Sequence, residues 1–153
     1  MSIKPKGPAV PAQAATIDTI ARHLSQSANA GHTGCHFDCT PISGEVEVLQ
    51  IVVQGREELP IFLSLAEDQV LVMSFLWEEA EVAKDKRLAM LETMLELNIP
   101  MPLSAFAKMG DRYLIFGALS VHSSLADIEH ELVVLSDNTL DILDDMSHFL
   151  EAL

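Results

Sequence analysis

The sequence predicts an α+β fold: an antiparallel sheet with its elements in the order helix, three or four strands, helix, hairpin, helix. Three observations carry that prediction. Short apolar runs bounded by turn residues fill the block between Cys35 and Trp77, whereas apolar residues recur with a period near 3.6 on either side of it. The turns between the strands are only a few residues long, too short for the crossover that a parallel pair needs. A second strand pair surrounds Gly110-Asp111, a two-residue hairpin signal, between two helical stretches. Strands and helices segregated in this way define α+β.

Residues 1–14 hold Pro5, Pro8 and Pro11 with a glycine and several alanines, and read as a flexible tail before a single domain over 15–153. Ile17, Ile20, Ala21 and Leu24 then recur at three- and four-residue spacing, a short amphipathic helix ended by the polar run 25–34. Strands follow at 35–41, 45–53, 59–65 and 69–77. They are joined at Ser43-Gly44, Gly55-Arg56-Glu57-Glu58 and Ala66-Glu67-Asp68, which makes them a meander. From Glu79, the positions Val82, Ala83, Leu88, Leu91, Met94, Leu95 and Asn98 fit a helix of about five turns. Pro100 and Pro102 end it, because proline lacks the amide hydrogen and disfavours helix in the residue before it. Residues 105–109 and 112–120 form the hairpin. Ser123 or Ser124 caps the last helix, whose seam runs Leu125, Ile128, Leu132, Leu135, Thr139, Ile142, Met146, Phe149 and Leu153. Ser136-Asp137-Asn138 interrupts that seam and can divide it into two helices.

The strands are apolar on both sides. Leu71, Met73, Phe75 and Trp77 share one face of their strand, while Val70, Val72 and Leu76 occupy the other. Tyr113, Ile115 and Leu119 likewise oppose Leu114, Phe116 and Ala118. Three helices suffice for one face of a five- or six-stranded sheet, so the second stays open unless the last helix wraps around to it. An open apolar face on the order of several hundred Å² marks an association surface. A homodimer, or a groove for a protein partner, is therefore expected.

Charge narrows the partners further. The 153 residues carry 23 acids against 9 bases, a net charge of −14. Such a surface repels nucleic acid and anionic lipid, which demand clustered Lys and Arg. The one basic cluster, 84–87, stands beside Glu78, Glu79, Glu81 and Asp85, and no Lys or Arg follows Arg112. No stretch approaches the roughly 20 apolar residues of a membrane span, and the charged start lacks the apolar run of a signal peptide. A cytoplasmic location is expected.

No motif points to catalysis or to a cofactor. The glycines have neither dinucleotide nor P-loop spacing, and Gly31-His32-Thr33-Gly34 lacks the flanking bases of a nucleic-acid loop. His32, Cys35, His36 and Cys39 have the residue types of a zinc site. On a strand, however, Cys35 and Cys39 lie about 13 Å apart and His36 points away from them, so neither a metal centre nor a disulfide is expected. His130-Glu131 lacks the second histidine of a zinc-protease helix, and the face Asp137, Asp141, Asp144, Asp145 and His148 lacks the glycine of a calcium loop. Glu57/Glu58 and Glu78/Glu79 read as solvated ends of elements. The alternatives to a binding protein are a small metal-dependent enzyme built on the Cys/His cluster or Asp face, or a structural subunit of a larger assembly.

Several runs carry a family resemblance: Asn98-Ile99-Pro100-Met101-Pro102-Leu103-Ser104, Arg112-Tyr113-Leu114-Ile115-Phe116-Gly117-Ala118-Leu119-Ser120, Leu135-Ser136-Asp137-Asn138 and Phe75-Leu76-Trp77-Glu78-Glu79. Over residues 17–150 they resemble the YjfI-like family of bacterial proteins (domain of unknown function 2170), which supplies no catalytic residue to carry over. The element order also resembles the type III secretion chaperone fold. That resemblance implies a homodimer built from 88–97 and the 105–119 hairpin, with a partner-binding face on the first strands. Leu91, Leu95, Phe106, Leu114 and Phe116 are the implied dimer or partner surface. Resemblance to the YjfI-like family further implies a membrane-stress protein of the phage-shock type as partner.

Overall fold

The computed structural model describes residues 14–30 and 33–152, so the expected tail falls almost wholly outside the described residues. Six strands form one antiparallel sheet: β1 Phe37–Ile42, β2 Val48–Val53, β3 Ile61–Leu65, β4 Gln69–Glu78, β5 Ala105–Met109 and β6 Arg112–Ser120. The helices are α1 Ile17–Ala30, α2 Arg87–Leu97 and α3 Leu125–Asp145. The spatial order is β1-β2-β3-β4-β6-β5, so the β5–β6 hairpin adds to the meander through β6 and leaves β5 at a free edge. Class and element order agree with the sequence reading, and both hairpin strands keep the limits it gave them.

Burial alternates strictly along the meander. Leu49, Ile51 and Val53, then Ile61 and Leu63, then Val70 and Val72 are buried, while their neighbours on the other face are only half-buried. α1 brings Ile17, Ile20 and Leu24 to that core, α2 brings Met90 and Met94, and α3 brings Ile128, Leu132, Leu135 and Ile142. Each such side chain contributes about 1.5–3 kcal/mol when fully buried, which fixes the helices to one side of the sheet. α3 does not wrap around to the second face.

Four local expectations change. The second helix starts at Arg87 rather than Glu79, and residues 79–86 are two 3₁₀ turns around an extended Val82. Val82 is buried and pairs with Leu150 as an isolated antiparallel bridge, flanked by Ala83 N–H to Phe149 O at 3.0 Å and Glu151 N–H to Glu81 O at 2.8 Å. A returning C-terminal segment thus outcompetes helix there. α1, in contrast, continues through Ser25, whose hydroxyl donates to the Ala21 carbonyl at 2.8 Å, instead of ending at it. α3 is continuous through Ser136-Asp137-Asn138. Those polar side chains turn outward to Arg56, Pro102 and Ser104 rather than back onto their own helix. Finally, Trp77 joins the buried face, not that of Met73 and Phe75. Phe75 pairs with Leu114 but Glu78 with Arg112, so one extra residue bulges out and inverts the alternation. Of the two caps proposed for α3, Ser124 serves, accepting from Asp127 N–H at 3.1 Å.

Candidate functional site

The other face of the sheet carries an apolar field that no helix of the described residues covers. The register aligns Ala105, Phe116, Met73 and Phe62 in one row across β5, β6, β4 and β3, and Ala107, Leu114 and Phe75 in the next. A third row holds Ala118 and Leu71. Phe62, Leu71, Met73, Phe75 and Phe116 are half-buried. The Phe62 and Phe75 rings lie 5.9 Å apart, and the Arg112 guanidinium lies over Phe75 at 3.7 Å from its centroid. Leu71, Met73, Met109, Leu114 and Phe116 line an open hollow of about 200 Å³ in this field.

A second apolar surface lies on α2, whose apolar residues fall on its exposed side as well as on its buried one. Met90 and Met94 point into the core, while Leu88 and Leu95 are each 70% exposed and Ile99, just past the helix, is 90% exposed. Leu91, Leu95 and Asn98 face Phe106, Ala107 and Tyr113 across a shallow hollow of about 280 Å³. Two polar joints hold α2 against the hairpin. Asn98 Oδ1 accepts from Phe106 N–H at 2.7 Å, and the Glu79 carboxylate accepts from the Tyr113 hydroxyl and from Arg87. The Tyr113 hydroxyl and then Arg87 hold the Glu79 carboxyl below the usual carboxylate range. Burial, and then Glu79, push the Tyr113 phenol up.

Of the residues implied as an association surface, Leu95 stands exposed and Leu91 and Phe116 are half-buried, whereas Phe106 and Leu114 are buried within the chain. Leu91, Leu95 and Phe106 line the α2 hollow, and Leu114 and Phe116 line the sheet hollow. Ala107 and Lys108 of the edge strand border both. Phe62 and Arg112, which were not among the expected surface residues, complete the field. The signal available was β3 itself, where Phe62 alternates with the buried Ile61 and Leu63.

The Cys/His cluster does not assemble among the described residues. His32 lies outside them. Cys35 and His36 border one hollow with Arg56 and Asp137, while Cys39 sits in β1 opposite Ile51 and packs against the core. Burial, with the Asp38 charge second, pushes the Cys39 thiol up to about 11, which keeps it protonated and a poor metal ligand. No group of three or more His, Cys, Asp or Glu side chains among the described residues could hold a metal ion.

Two acidic residues of α3, Glu129 and Glu131, are buried, and the first serves as a joint. Glu129 accepts from His23 Nε2 at 2.9 Å, from Thr33 N–H at 3.0 Å and from the Thr33 hydroxyl at 2.5 Å, tying α3 to α1 and to the start of the β block. Burial acts to raise its carboxyl, but these bonds prevail and hold it below the usual range. Glu131 lies over Gly117 of β6, and burial pushes its carboxyl up.

The runs that carry the family resemblance meet in space. Asn138 Nδ2 donates to Pro102 O at 2.9 Å and to Ser104 Oγ at 3.0 Å. Leu103 is held at φ 59°, and its carbonyl lies 3.0 Å from where a Gly117 Cβ would stand. A side chain at 117 would strike this loop and Glu131, so glycine is required there for close approach. Three of the four runs, 98–104, 112–120 and 135–138, thus form one structural joint between α2, β6 and α3.

Comparison with solved structures identifies the class of fold first. It is that of the type III secretion chaperones. The Yersinia pestis type III secretion chaperone SycH, in complex with a stable fragment of YscM2, matches with a TM-score of 0.51 and 16% identity over 80% of this chain and 98% of its own. A chain of the ExsC–ExsE complex matches with a TM-score of 0.53 and 12% identity, over 83% and 92%. YbjN from E. coli gives 0.57 and 15%, over 85% and 93%. Identities this low speak for the fold alone. By sequence, the chain belongs to the family described as "Uncharacterized protein conserved in bacteria (DUF2170)", whose model matches residues 14–150. No curated protein matches it.

Proposed function

We propose that this protein is a non-enzymatic, protein-binding homodimer of the cytoplasm, chaperone- or adaptor-like, acting as one domain over residues 15–153. The observation that carries the reading is the sheet itself: α1, α2 and α3 bury their apolar side chains on one face, and Phe62, Leu71, Met73, Phe75 and Phe116 stay half-buried on the other. A large open apolar face costs solubility unless something binds it. SycH and the matching chain of the ExsC–ExsE complex, which share the fold, were each solved with a protein partner. Leu91, Leu95 and Phe106, with exposed Leu88, form the dimer surface on this reading, and Leu114 and Phe116 belong to the partner face. The partner suggested by the family is a membrane-stress protein. No helix among the described residues is long and apolar enough to cross a membrane, which fits a partner reached from solution.

Recovery of the endogenous complex with the full chain as bait, followed by mass spectrometry, tests the partner, and light scattering tests the dimer. Leu95→Asp is expected to give a folded monomer. Met73→Asp is expected to keep the dimer and lose the partner. A wild-type monomer at high concentration that recovers no specific protein would overturn the reading.

A further inference from the structure

Resting on the protein-binding reading above, we infer that the open sheet face receives a basic amphipathic α-helix of the partner, about three turns long and flanked by Lys or Arg at both ends. The apolar field sets the footprint. Leu71 to Phe75 spans about 13 Å along β4, and β3 to β5 spans about 14 Å across the sheet. A helix rising 1.5 Å per residue crosses that distance in about nine residues.

Backbone chemistry selects helix over strand. An extended segment laid flat on Phe62, Met73 and Phe116 would bury amide and carbonyl groups against side chains that offer them no partner. A helix satisfies its own backbone and presents only a stripe of side chains. The sheet already takes helices in this way on its other face, through α1 and α3.

Charge sets the flanks. At one end of the strands the exposed acids are Glu45 and Glu47 in the β1–β2 turn and Glu67 and Asp68 in the β3–β4 turn. At the other end Glu58, Glu78 and Glu81 border the hollows around Phe75 and Leu76, with Arg112 as the base among them. None of these acids makes an ion pair with another described residue. Glu81 accepts from Glu78 N–H at 2.7 Å, but neither it nor the other acids is neutralised by an ion pair. An apolar strip closed at both ends by such carboxylates complements a helix that is apolar on one stripe and cationic at its ends.

The test uses the full chain and three labelled synthetic helices read by fluorescence anisotropy. One has a leucine stripe with lysine flanks, one the same stripe with glutamate flanks, and one lysine flanks with the stripe scrambled. The first is expected to bind at least about tenfold more tightly than either of the others. Met73→Asp should abolish that binding, with Leu71→Asp replacing it if the first variant does not fold. Glu67→Lys combined with Asp68→Lys, on an exposed turn, should weaken the lysine-flanked helix and favour the glutamate-flanked one. Equal binding of the two flank types overturns the inference. So does binding that survives Met73→Asp, which would be charge attraction to an acidic chain and nothing more. Should the whole partner be captured and lost with Met73→Asp while none of the helices binds, the helix is wrong and the binding face stands. A partner retained by Met73→Asp sinks the binding face itself.

Discussion

Leu63 and Phe62 are neighbours in β3, yet they occupy different environments. Leu63 is fully buried beneath the helices, and Phe62 stands half-covered on the far side of the same strand. Residue chemistry does not separate the two faces, since both are lined by large apolar side chains. What separates them is that all three helices lie on one side. A sheet oily on both faces becomes a two-layer structure open on one side, and on the proposed reading stability and recognition are divided between the faces.

The sharpest test of that division is a paired truncation. Leu63→Ala should cost about 2–5 kcal/mol in urea unfolding, because it opens a cavity under packed helices. Phe62→Ala should cost no more than about 1 kcal/mol, as surface changes do. Comparable losses would mean that the second face is as structural as the first.

Next in size are the polar joints of the helical side. Glu129→Ala strands the Thr33 amide and His23 without their acceptor, and a loss of about 2–4 kcal/mol is expected. The Glu129 carboxyl has a lower pKa folded than unfolded. Its contribution is therefore present above the unfolded carboxylate pKa and is lost as pH falls through the folded value. The gap between wild type and Glu129→Gln should accordingly narrow on acidification; a gap independent of pH would refute the charge-assisted joint.

A smaller effect, about 1–3 kcal/mol, is expected from Gly117→Ala. The new Cβ would strike Glu131 Oε1 and stand 3.0 Å from Leu103 O, and the second is backbone that cannot simply swing aside. A neutral result by thermal unfolding would show that the joint between the family runs is looser than its geometry.

The smallest change carries the opposite sign. The Glu131 carboxyl has a raised pKa in the folded protein, so its ionised form is a liability at neutral pH, and acidification through the folded value relieves it. Glu131→Gln should raise Tm at pH 7 by about 2–4 °C, with the gain shrinking as pH falls. A destabilised variant at pH 7 would show that the carboxylate is needed there.

The site was legible to different depths. Leu71, Met73, Phe75, Leu114 and Phe116 could be assigned to strand faces by counting in twos, because β4 and β6 are regular over those residues. Trp77 escaped the count, since the bulge before Glu78 depends on how β4 meets β6. Phe106 and Leu114 carried an association role only by resemblance, and both are buried in the chain as folded. The joints at Glu129 and Glu131 left no trace in the pattern; a carboxylate on a helix looks solvated until its neighbours are known.

Short turns and a switch of apolar period fix the α+β order, the antiparallel pairing within the meander and the hairpin at Gly110, because these depend on contacts between residues close in the chain; the pairing of β4 with β6 across α2 does not. The net charge likewise follows from composition. Which side of the sheet is sealed, why residues 79–86 abandon helix for a bridge to Leu150, and where the open field ends were settled by long-range packing. Alternation shows that a strand has two faces; only helices arriving from either end of the chain can choose between them.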